Sequence, residues 1–286
     1  MTDLRDKNCF ITGAASGIGR ATAFAAVRAG AKLVLTDIDD AALQDVAKDI
    51  RAANGTVLAA EALDVSNYDA VRAFTQQVLA AHGSMDVVMN IAGIAIWGEI
   101  TALQHEHWRR VVDVNLMGPI HVMECLVPAM VEAGRGGHIV NVSSAAGLFA
   151  LPLHAAYSAS KFGLRGASEV LRFDLKRHGI KVSVVCPGAV DTGLVKTLKI
   201  IGVDATDPRV ERLRQRFQRH AVTPGKAAQA ILDGVRKNRY LIYTSPDIRA
   251  LYWLKRKFAW PLNVGLVLVE RQVQALEERQ RREHHS

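Results

Sequence analysis

Short apolar runs alternate with longer amphipathic stretches along most of this 286-residue chain. Seven of the runs are rich in Val, Ile and Leu and have the length of strands: residues 8–13, 32–37, 56–64, 86–93, 138–144, 181–188 and 240–244. Runs of this kind are typical of strands that are buried on both faces, and the stretches between them are typical of crossover helices. The alternation therefore predicts an α/β fold, a doubly wound seven-stranded parallel sheet with helices on both faces.

The length and composition fit a folded chain of this class. A chain of 286 residues can bury a sizeable core, and 49% hydrophobic and 22% charged residues are ordinary globular values. No Pro- or Gly-rich linker occurs before residue 246. We therefore expect one domain over residues 1–245 and a C-terminal helical extension over residues 246–286.

A glycine-rich turn follows the first predicted strand. It reads TGAASGIGR, with Gly13, Gly17 and Gly19 ahead of the next helix. Glycines there let the backbone approach a pyrophosphate, whose charge is met by the free N–H groups at the start of the helix. The turn favours a Rossmann-like sheet that binds a dinucleotide at the carboxyl ends of its strands. The alternative is a glycine-rich turn without a ligand.

The second predicted strand ends in a carboxylate, Asp37. A carboxylate at this point can accept hydrogen bonds from the ribose hydroxyls, whereas a 2′-phosphate would meet like charge. The glycine turn carries Ser16 rather than a basic residue, and the sequence shows no cation that would receive such a phosphate. The sequence therefore predicts a preference for NAD(H) over NADP(H) as the cofactor.

The stretch YSASK places Tyr157 four residues before Lys161. On a helix the two side chains leave the same face about one turn apart. A free phenol has a pKa near ~10, and a nearby ammonium is expected to lower it toward the range in which a phenolate can exchange a proton with an alcohol. Taken alone, the same spacing also fits a tyrosine packed beside a solvated lysine.

The motifs TGAASGIG, NIAG, Asn115, VNVSS, YSASK and PGAVDT follow one another at the predicted strand ends. Together they resemble the short-chain dehydrogenase/reductase superfamily over about residues 5–245. The chain departs from the family pattern at Asn90-Ile91, where the family usually has two asparagines. The resemblance implies a catalytic set of four residues: Asn115, Ser144, Tyr157 and Lys161.

The resemblance also implies the role of each residue. Tyr157 exchanges the hydroxyl proton, Lys161 lowers its pKa and contacts the ribose, and Ser144 holds the substrate oxygen. Ser143 is the rival for the last role, but the family spacing favours its neighbour. Asn115 bends its helix and holds a water for proton relay. The residues expected to bind NAD are Gly13, Ser16, Gly17, Ile18, Gly19, Asp37, Ile38, Asp64, Val65, Asn90, Ala92, Gly93, Tyr157, Lys161, Pro187, Gly188, Val190 and Thr192.

The substrate is expected to contact Ser144, Tyr157, His154 and Trp97. Residues 193–222 occupy the place of the family's variable lid, and their apolar residues favour a lipophilic secondary alcohol or ketone, of steroid, retinoid or fatty-chain type. The alternatives are a 3-oxoacyl-thioester reductase, a dehydratase or epimerase on the same fold, and an NAD-sensing regulator without turnover. We expect a cytoplasmic homodimer or homotetramer.

The net charge of +8 is concentrated after residue 196. No nucleic-acid-binding signature accompanies it, so we expect no nucleic-acid partner. Aromatic and basic residues over 247–270 suit peripheral contact with a membrane, and packing over the pocket or against a sister subunit is the alternative. We expect no bound metal, since the His105 and His107 rings would splay apart on a helix.

Overall fold

The structure, a computed structural model, describes residues 1–193, 199–202 and 221–258. Its strands are β1 (Asn8–Thr12), β2 (Lys32–Asp37), β3 (Thr56–Ala62), β4 (Val87–Asn90), β5 (Ile96–Gly98), β6 (Gly137–Val142), β7 (Ile180–Cys186), β8 (Lys199–Ile201) and β9 (Leu241–Tyr243). Seven of them form one parallel sheet in the order β3-β2-β1-β4-β6-β7-β9. The predicted seven-stranded parallel sheet is confirmed.

Helices cover both faces of this sheet. They are α1 (Gly17–Arg28), α2 (Asp40–Ala52), α3 (Tyr68–His82), α4 (His105–Val112), α5 (Gly118–Ala133), α6 (Ala155–Asp174), α7 (Pro224–Arg236) and α8 (Pro246–Lys257). One core cluster joins α1, α2 and α7 to the sheet, and a second joins α3, α5 and the end of α6 to its other face. Strands β1, β2, β4, β6 and β7 are buried on both sides, which is why they read as continuous apolar runs.

Most predicted strands end one to three residues earlier than the sequence indicated, and two of them show why. The run at 56–64 stops at Ala62, and the run at 86–93 forms a strand only over Val87–Asn90. In both, the apolar residues beyond the strand line a cavity instead of pairing in the sheet. A second, two-stranded parallel sheet of β5 and β8 was not predicted.

A single π turn, Asp113–Met117, joins α4 to α5 and has Asn115 at its centre. The sequence predicted one helix over 108–132 with a bend at this asparagine. The combined helix His105–Ala133 is long and apolar enough to cross a membrane by length and composition only. Core helices pass the same test, and Val122, Leu126 and Met130 of α5 belong to the second core cluster.

His138 is a buried polar residue within the sheet. Its ring nitrogens lie 2.8 Å from the Ser183 hydroxyl and 3.1 Å from the Thr2 hydroxyl. Burial, together with the charge of Lys181, lowers the pKa of His138 to about 4. An unfolded chain would take up this proton near pH ~6.5. The folded state therefore loses stability as the pH falls from about 6.5 to about 4.

We predict that His138→Gln abolishes this pH-dependent loss of the free energy of unfolding. The loss amounts to about 3 kcal/mol, because the pKa of His138 lies roughly 2.5 below that of a histidine in the unfolded chain. The free energy of unfolding of both chains is measured by denaturant titration across pH 7 to 4 (~0.5-unit steps). The wild type should fall more steeply than the variant, and His105→Gln, at an exposed histidine, is the control. Parallel curves for wild type and His138→Gln would contradict the assignment.

Candidate active site

A cavity of about 890 Å³ runs along the carboxyl ends of β1, β2, β4, β6 and β7. This volume lies at the upper end of the range for ligand pockets. Most residues predicted for the site line it. They are Gly13, Ser16, Gly17, Ile18, Gly19, Asp37, Ile38, Asp64, Val65, Ala92, Gly93, Trp97, Ser144, His154, Tyr157, Lys161, Pro187, Gly188, Val190 and Thr192. Asn90 and Asn115 are not among the lining residues.

The glycine turn leaves no room for side chains on its inner side. Gly13 has a φ of +68°, and a Cβ there would lie 2.8 Å from the Ala92 backbone. A Cβ on Gly19 would overlap the carbonyl oxygen of Gly13. The first turn of α1 has no acidic residue, and the first N–H groups of a helix lack partners within the helix. These features fit the pyrophosphate of a dinucleotide.

Asp37 ties the glycine turn to the end of β2. Its Oδ2 accepts a hydrogen bond from the Ala15 N–H at 2.9 Å, while its Oδ1 accepts one from Asp39 at 3.2 Å. The Ala14 N–H donates to the Thr36 carbonyl oxygen at 3.1 Å. The carboxylate therefore has a fixed orientation at the edge of the cavity, as a ribose-binding group requires.

Arg110 of α4 lines the same cavity, and the sequence did not reveal this cation. Its Nη1 lies 3.0 Å from Oδ2 of Asp64 and 3.3 Å from the Ser66 hydroxyl. Burial raises the pKa of Asp64, but the hydrogen bonds from Ser66 and the Arg110 charge outweigh it and hold that pKa below its usual value. No sequence motif marks Arg110, because tertiary packing brings it to this edge.

The end of β4 is held by side chains that face into the protein. The Thr12 hydroxyl accepts hydrogen bonds from the N–H groups of Ile91 and Ala92 at 3.0 and 3.1 Å. The Asn90 side chain donates to Asn141 of β6 at 2.8 Å. Asn90 thus joins two neighbouring strands within the sheet, which is why its side chain stays outside the cavity.

Asn115 also acts on the chain that follows β4. Its Oδ1 accepts from the Ile94 N–H, and its Nδ2 donates to the Ile94 carbonyl, both at 2.9 Å. The same amide group donates to the Ser160 hydroxyl at 3.3 Å. The carboxamide is buried and fully engaged, as a polar group inside a core helix must be. It fixes the cavity wall rather than facing the cavity.

Tyr157 and Lys161 lie one turn apart on α6, as predicted, and both are buried. Nζ of the lysine lies 5.8 Å from the centre of the tyrosine ring and donates to the Val142 carbonyl oxygen at 3.0 Å. With only 3% of the residue exposed, burial lowers the pKa of Lys161 to about 8.

The expected fall in the pKa of Tyr157 does not occur in this structure. Burial raises that pKa, and a hydrogen bond with Ser144 opposes the rise without cancelling it. The reason is that a phenolate loses its hydration inside the protein, and the lysine is itself weakened by the same burial. The expectation from the sequence, that the nearby ammonium lowers the pKa of Tyr157, is therefore wrong for this structure.

The two neighbouring serines have different surroundings. The Ser143 hydroxyl donates to the Lys161 carbonyl oxygen at 2.8 Å and is buried. The Ser144 hydroxyl accepts from the Ala146 N–H at 3.1 Å, which leaves its own proton free to donate. Ser143 therefore holds α6 to the sheet, and Ser144 is the serine that is placed beside the tyrosine.

Beyond Tyr157 the cavity continues into a largely apolar substrate end. Its lining residues are Ala95, Trp97, Phe149, Leu151, His154, Ile248 and Leu251. The His154 ring lies over Trp97 with 4.0 Å between centroids, and its Nδ1 lies 2.6 Å from the Pro152 carbonyl oxygen. The sequence predicted His154 and Trp97 here.

The C-terminal helix α8 contributes a wall of the substrate end. Ile248 and Leu251 line the cavity, Tyr252 lies 6.2 Å from the Phe149 ring, and Nζ of Lys255 donates to the Leu148 carbonyl oxygen at 2.6 Å. The sequence left three alternatives for this segment: contact with a membrane, packing over the pocket and packing against a sister subunit. Residues 246–257 pack over the pocket. The amphipathic pattern of residues 246–257 in the sequence could have indicated that one face of this helix packs over the cavity.

The predicted lid over 193–222 is described only in part. Lys199–Ile201 form β8, which pairs with β5 so that Trp97 lies opposite Ile200. Leu194, Leu198 and Val203, which were expected to form an apolar wall, lie outside the described residues. Within the described ranges, no group of His, Cys, Asp and Glu is arranged to hold a metal ion.

A family model described as short chain dehydrogenase matches residues 7–200. The chain belongs to the short-chain dehydrogenase family. It is 38% identical over 250 residues to the "Probable oxidoreductase EphD" of Mycobacterium tuberculosis strain H37Rv, covering 86% of this chain and 42% of that protein. The dehydrogenase thus spans less than half the length of this relative.

Two solved structures carry the comparison further. A short-chain dehydrogenase/reductase from Burkholderia phymatum in complex with NAD has a TM-score of 0.82 at 31% identity, covering 90% of this chain and 95% of that one. A metagenomic short-chain oxidoreductase in complex with NADP has a TM-score of 0.68 at 32% identity, covering 85% and 98%. Both solved structures contain a nicotinamide dinucleotide, NAD in the first and NADP in the second.

Proposed function

We propose that this dehydrogenase uses NAD(H) to interconvert a lipophilic secondary alcohol and its ketone. One observation carries the proposal: the Tyr157 hydroxyl and Ser144 stand together between the dinucleotide part of the cavity and an apolar substrate end. An apolar wall with a few polar groups at one point selects an apolar substrate and fixes the orientation of its oxygen.

Each residue of the site has a separate role in the proposed reaction. When bound, the nicotinamide ring takes up or gives the hydride. Ser144 donates a hydrogen bond to the substrate oxygen, and Tyr157 takes the hydroxyl proton in oxidation or returns it in reduction. Lys161 holds a positive charge beside the phenol, and Asn115 positions the wall that faces them.

We predict that Tyr157→Phe lowers turnover at least about a thousandfold, since proton transfer by a positioned side chain contributes roughly 10²- to 10⁴-fold. Binding of NADH, measured by fluorescence titration, should remain within about twofold, a free-energy change of about 0.4 kcal/mol. Turnover is measured by NADH absorbance over a panel of secondary alcohols that includes steroids and long-chain compounds. Tyr68→Phe, at a partly exposed tyrosine of α3, is the matched control. Substantial activity left in Tyr157→Phe would refute the role.

The preference for NAD(H) is supported by the acidic character of the ribose end. The Asp37 carboxylate is held there by two backbone N–H groups. Arg110, a cation that lines the same cavity, is paired with Asp64. A 2′-phosphate would have to compete with that carboxylate for the guanidinium.

We predict that wild-type kcat/KM with NAD exceeds that with NADP at least about tenfold, a difference of about 1.4 kcal/mol. Asp37→Asn should narrow the ratio, because it removes the negative charge that repels a 2′-phosphate. Asp40→Asn, at an exposed residue of α2, should keep the wild-type ratio. Comparable wild-type efficiency with both cofactors would contradict the proposal.

A second candidate within the family chemistry is reduction of 3-oxoacyl thioesters. It uses the same four residues and differs in the substrate end, where an acyl chain would occupy the apolar wall. An assay with an acyl thioester separates it from a free ketone reductase. A regulator that binds NAD without turnover is disfavoured, because the tyrosine and lysine are intact.

We also propose a cytoplasmic homodimer or homotetramer, with peripheral membrane contact through 247–270 as an additional mode. The outer surface of α6 supports an oligomer, since Val170 is 59% exposed and Phe173 67%. The outer surface of α8 supports a membrane contact, since Trp253 is 60% exposed and Phe258 54%, beside basic residues.

A further inference from the structure

His154 is the residue at the substrate end whose chemistry the proposed reaction leaves unused. Apart from it and Trp97, the residues named as the substrate end are apolar. The ring is partly buried, lies over Trp97 and stands 6.2 Å from the Tyr157 ring, measured between centroids. A polar group in such a place needs a hydrogen-bonding partner for each nitrogen.

The contact with Pro152 fixes which nitrogen carries the proton. A carbonyl oxygen only accepts, so at 2.6 Å Nδ1 must be the donor. Burial lowers the pKa of His154 despite that hydrogen bond, so the ring is neutral at neutral pH. In the neutral ring with a proton on Nδ1, Nε2 carries a lone pair and can only accept. Within the described residues, no hydrogen bond reaches Nε2.

The backbone around His154 is held in a conformation that fixes the ring. Leu153 has a φ of +64°, in the left-handed region that side chains other than glycine rarely adopt. Its carbonyl oxygen accepts a hydrogen bond from the Gly98 N–H of β5 at 2.8 Å. Such a conformation persists where the surroundings over-determine it, and it is found most often at functional sites.

We propose that Nε2 of His154 accepts a hydrogen bond from a second hydroxyl group of the substrate. The dehydrogenase then prefers diols, and ketones that keep a hydroxyl group, over analogues with a single oxygen. This inference rests on the proposed alcohol and ketone chemistry of Tyr157. The two rings are close enough for one carbocycle to present an oxygen to each, so the second hydroxyl belongs to the same ring as the reacting carbon or to its neighbour.

The test compares cyclohexanol with the three regioisomeric cyclohexanediols. kcat/KM is measured with NAD, and the dissociation constant of each alcohol is measured by calorimetry in the presence of NADH. In the wild type at least one diol should exceed cyclohexanol about tenfold in both, the value of one hydrogen bond of about 1.4 kcal/mol.

Three variants separate the hydrogen bond from the packing. His154→Phe, which has a ring but no acceptor, should reduce the ratio of diol to cyclohexanol about tenfold. His154→Gln, which restores an acceptor, should recover part of it, and His105→Phe, at an exposed histidine that does not line the cavity, should keep the wild-type ratio. The inference is overturned if no diol is preferred by the wild type, or if His154→Phe keeps the preference.

The measurements of kcat/KM and of the dissociation constants also distinguish a failure of this inference from a failure of the proposed function. Oxidation of alcohols without a preference for any diol contradicts the His154 contact and leaves the function in place. Tighter binding of a diol that depends on His154, without oxidation of any alcohol, supports the contact and contradicts the function.

Discussion

The site depends on an ammonium group that is buried beside a phenol. Lys161 keeps one hydrogen bond, to the Val142 carbonyl, and is almost excluded from water. Its pKa of about 8 still leaves it mostly charged at pH 7, by a ratio of roughly ten to one.

The same burial also disfavours ionisation of the Tyr157 hydroxyl. In the structure the pKa of Tyr157 lies above its ordinary value, so at neutral pH this hydroxyl ionises less readily than a tyrosine in water. A positive charge from a bound, oxidised nicotinamide would add to that of the lysine and favour the phenolate. We infer that proton transfer would depend on cofactor binding, since the phenol would ionise more readily in the loaded site.

The sheet explains how these groups meet. Parallel strands bring their carboxyl ends to one edge, and that edge is held by buried polar contacts: Thr12 to the chain after β4, Asn90 to Asn141, and Asn115 to Ile94. None of these side chains needs to touch a ligand. They keep the loops at fixed positions, so that the glycine turn and α6 face each other across one cavity.

The sequence was most informative where a residue type has one physical use. The apolar runs predicted all seven strands of the main sheet, and the glycine turn, Asp37 and YSASK predicted one connected site. The sequence did not indicate features whose position depends on tertiary packing. Arg110 and Ile248 reach the cavity from distant helices, and β5 and β8 are too short to show a period. The pKa of Tyr157 was misjudged because burial of the pair cannot be read from spacing.

The most direct test is a titration of the Tyr157 hydroxyl itself. The ultraviolet difference between wild type and Tyr157→Phe reports its ionisation, in the free protein and with saturating NAD⁺, and again in a Lys161→Met background. We expect ionisation above pH ~10 in the free wild type and well below it with NAD⁺, with a smaller fall when the lysine is replaced. An ionisation that is unchanged by NAD⁺, or the same without Lys161, would contradict the account.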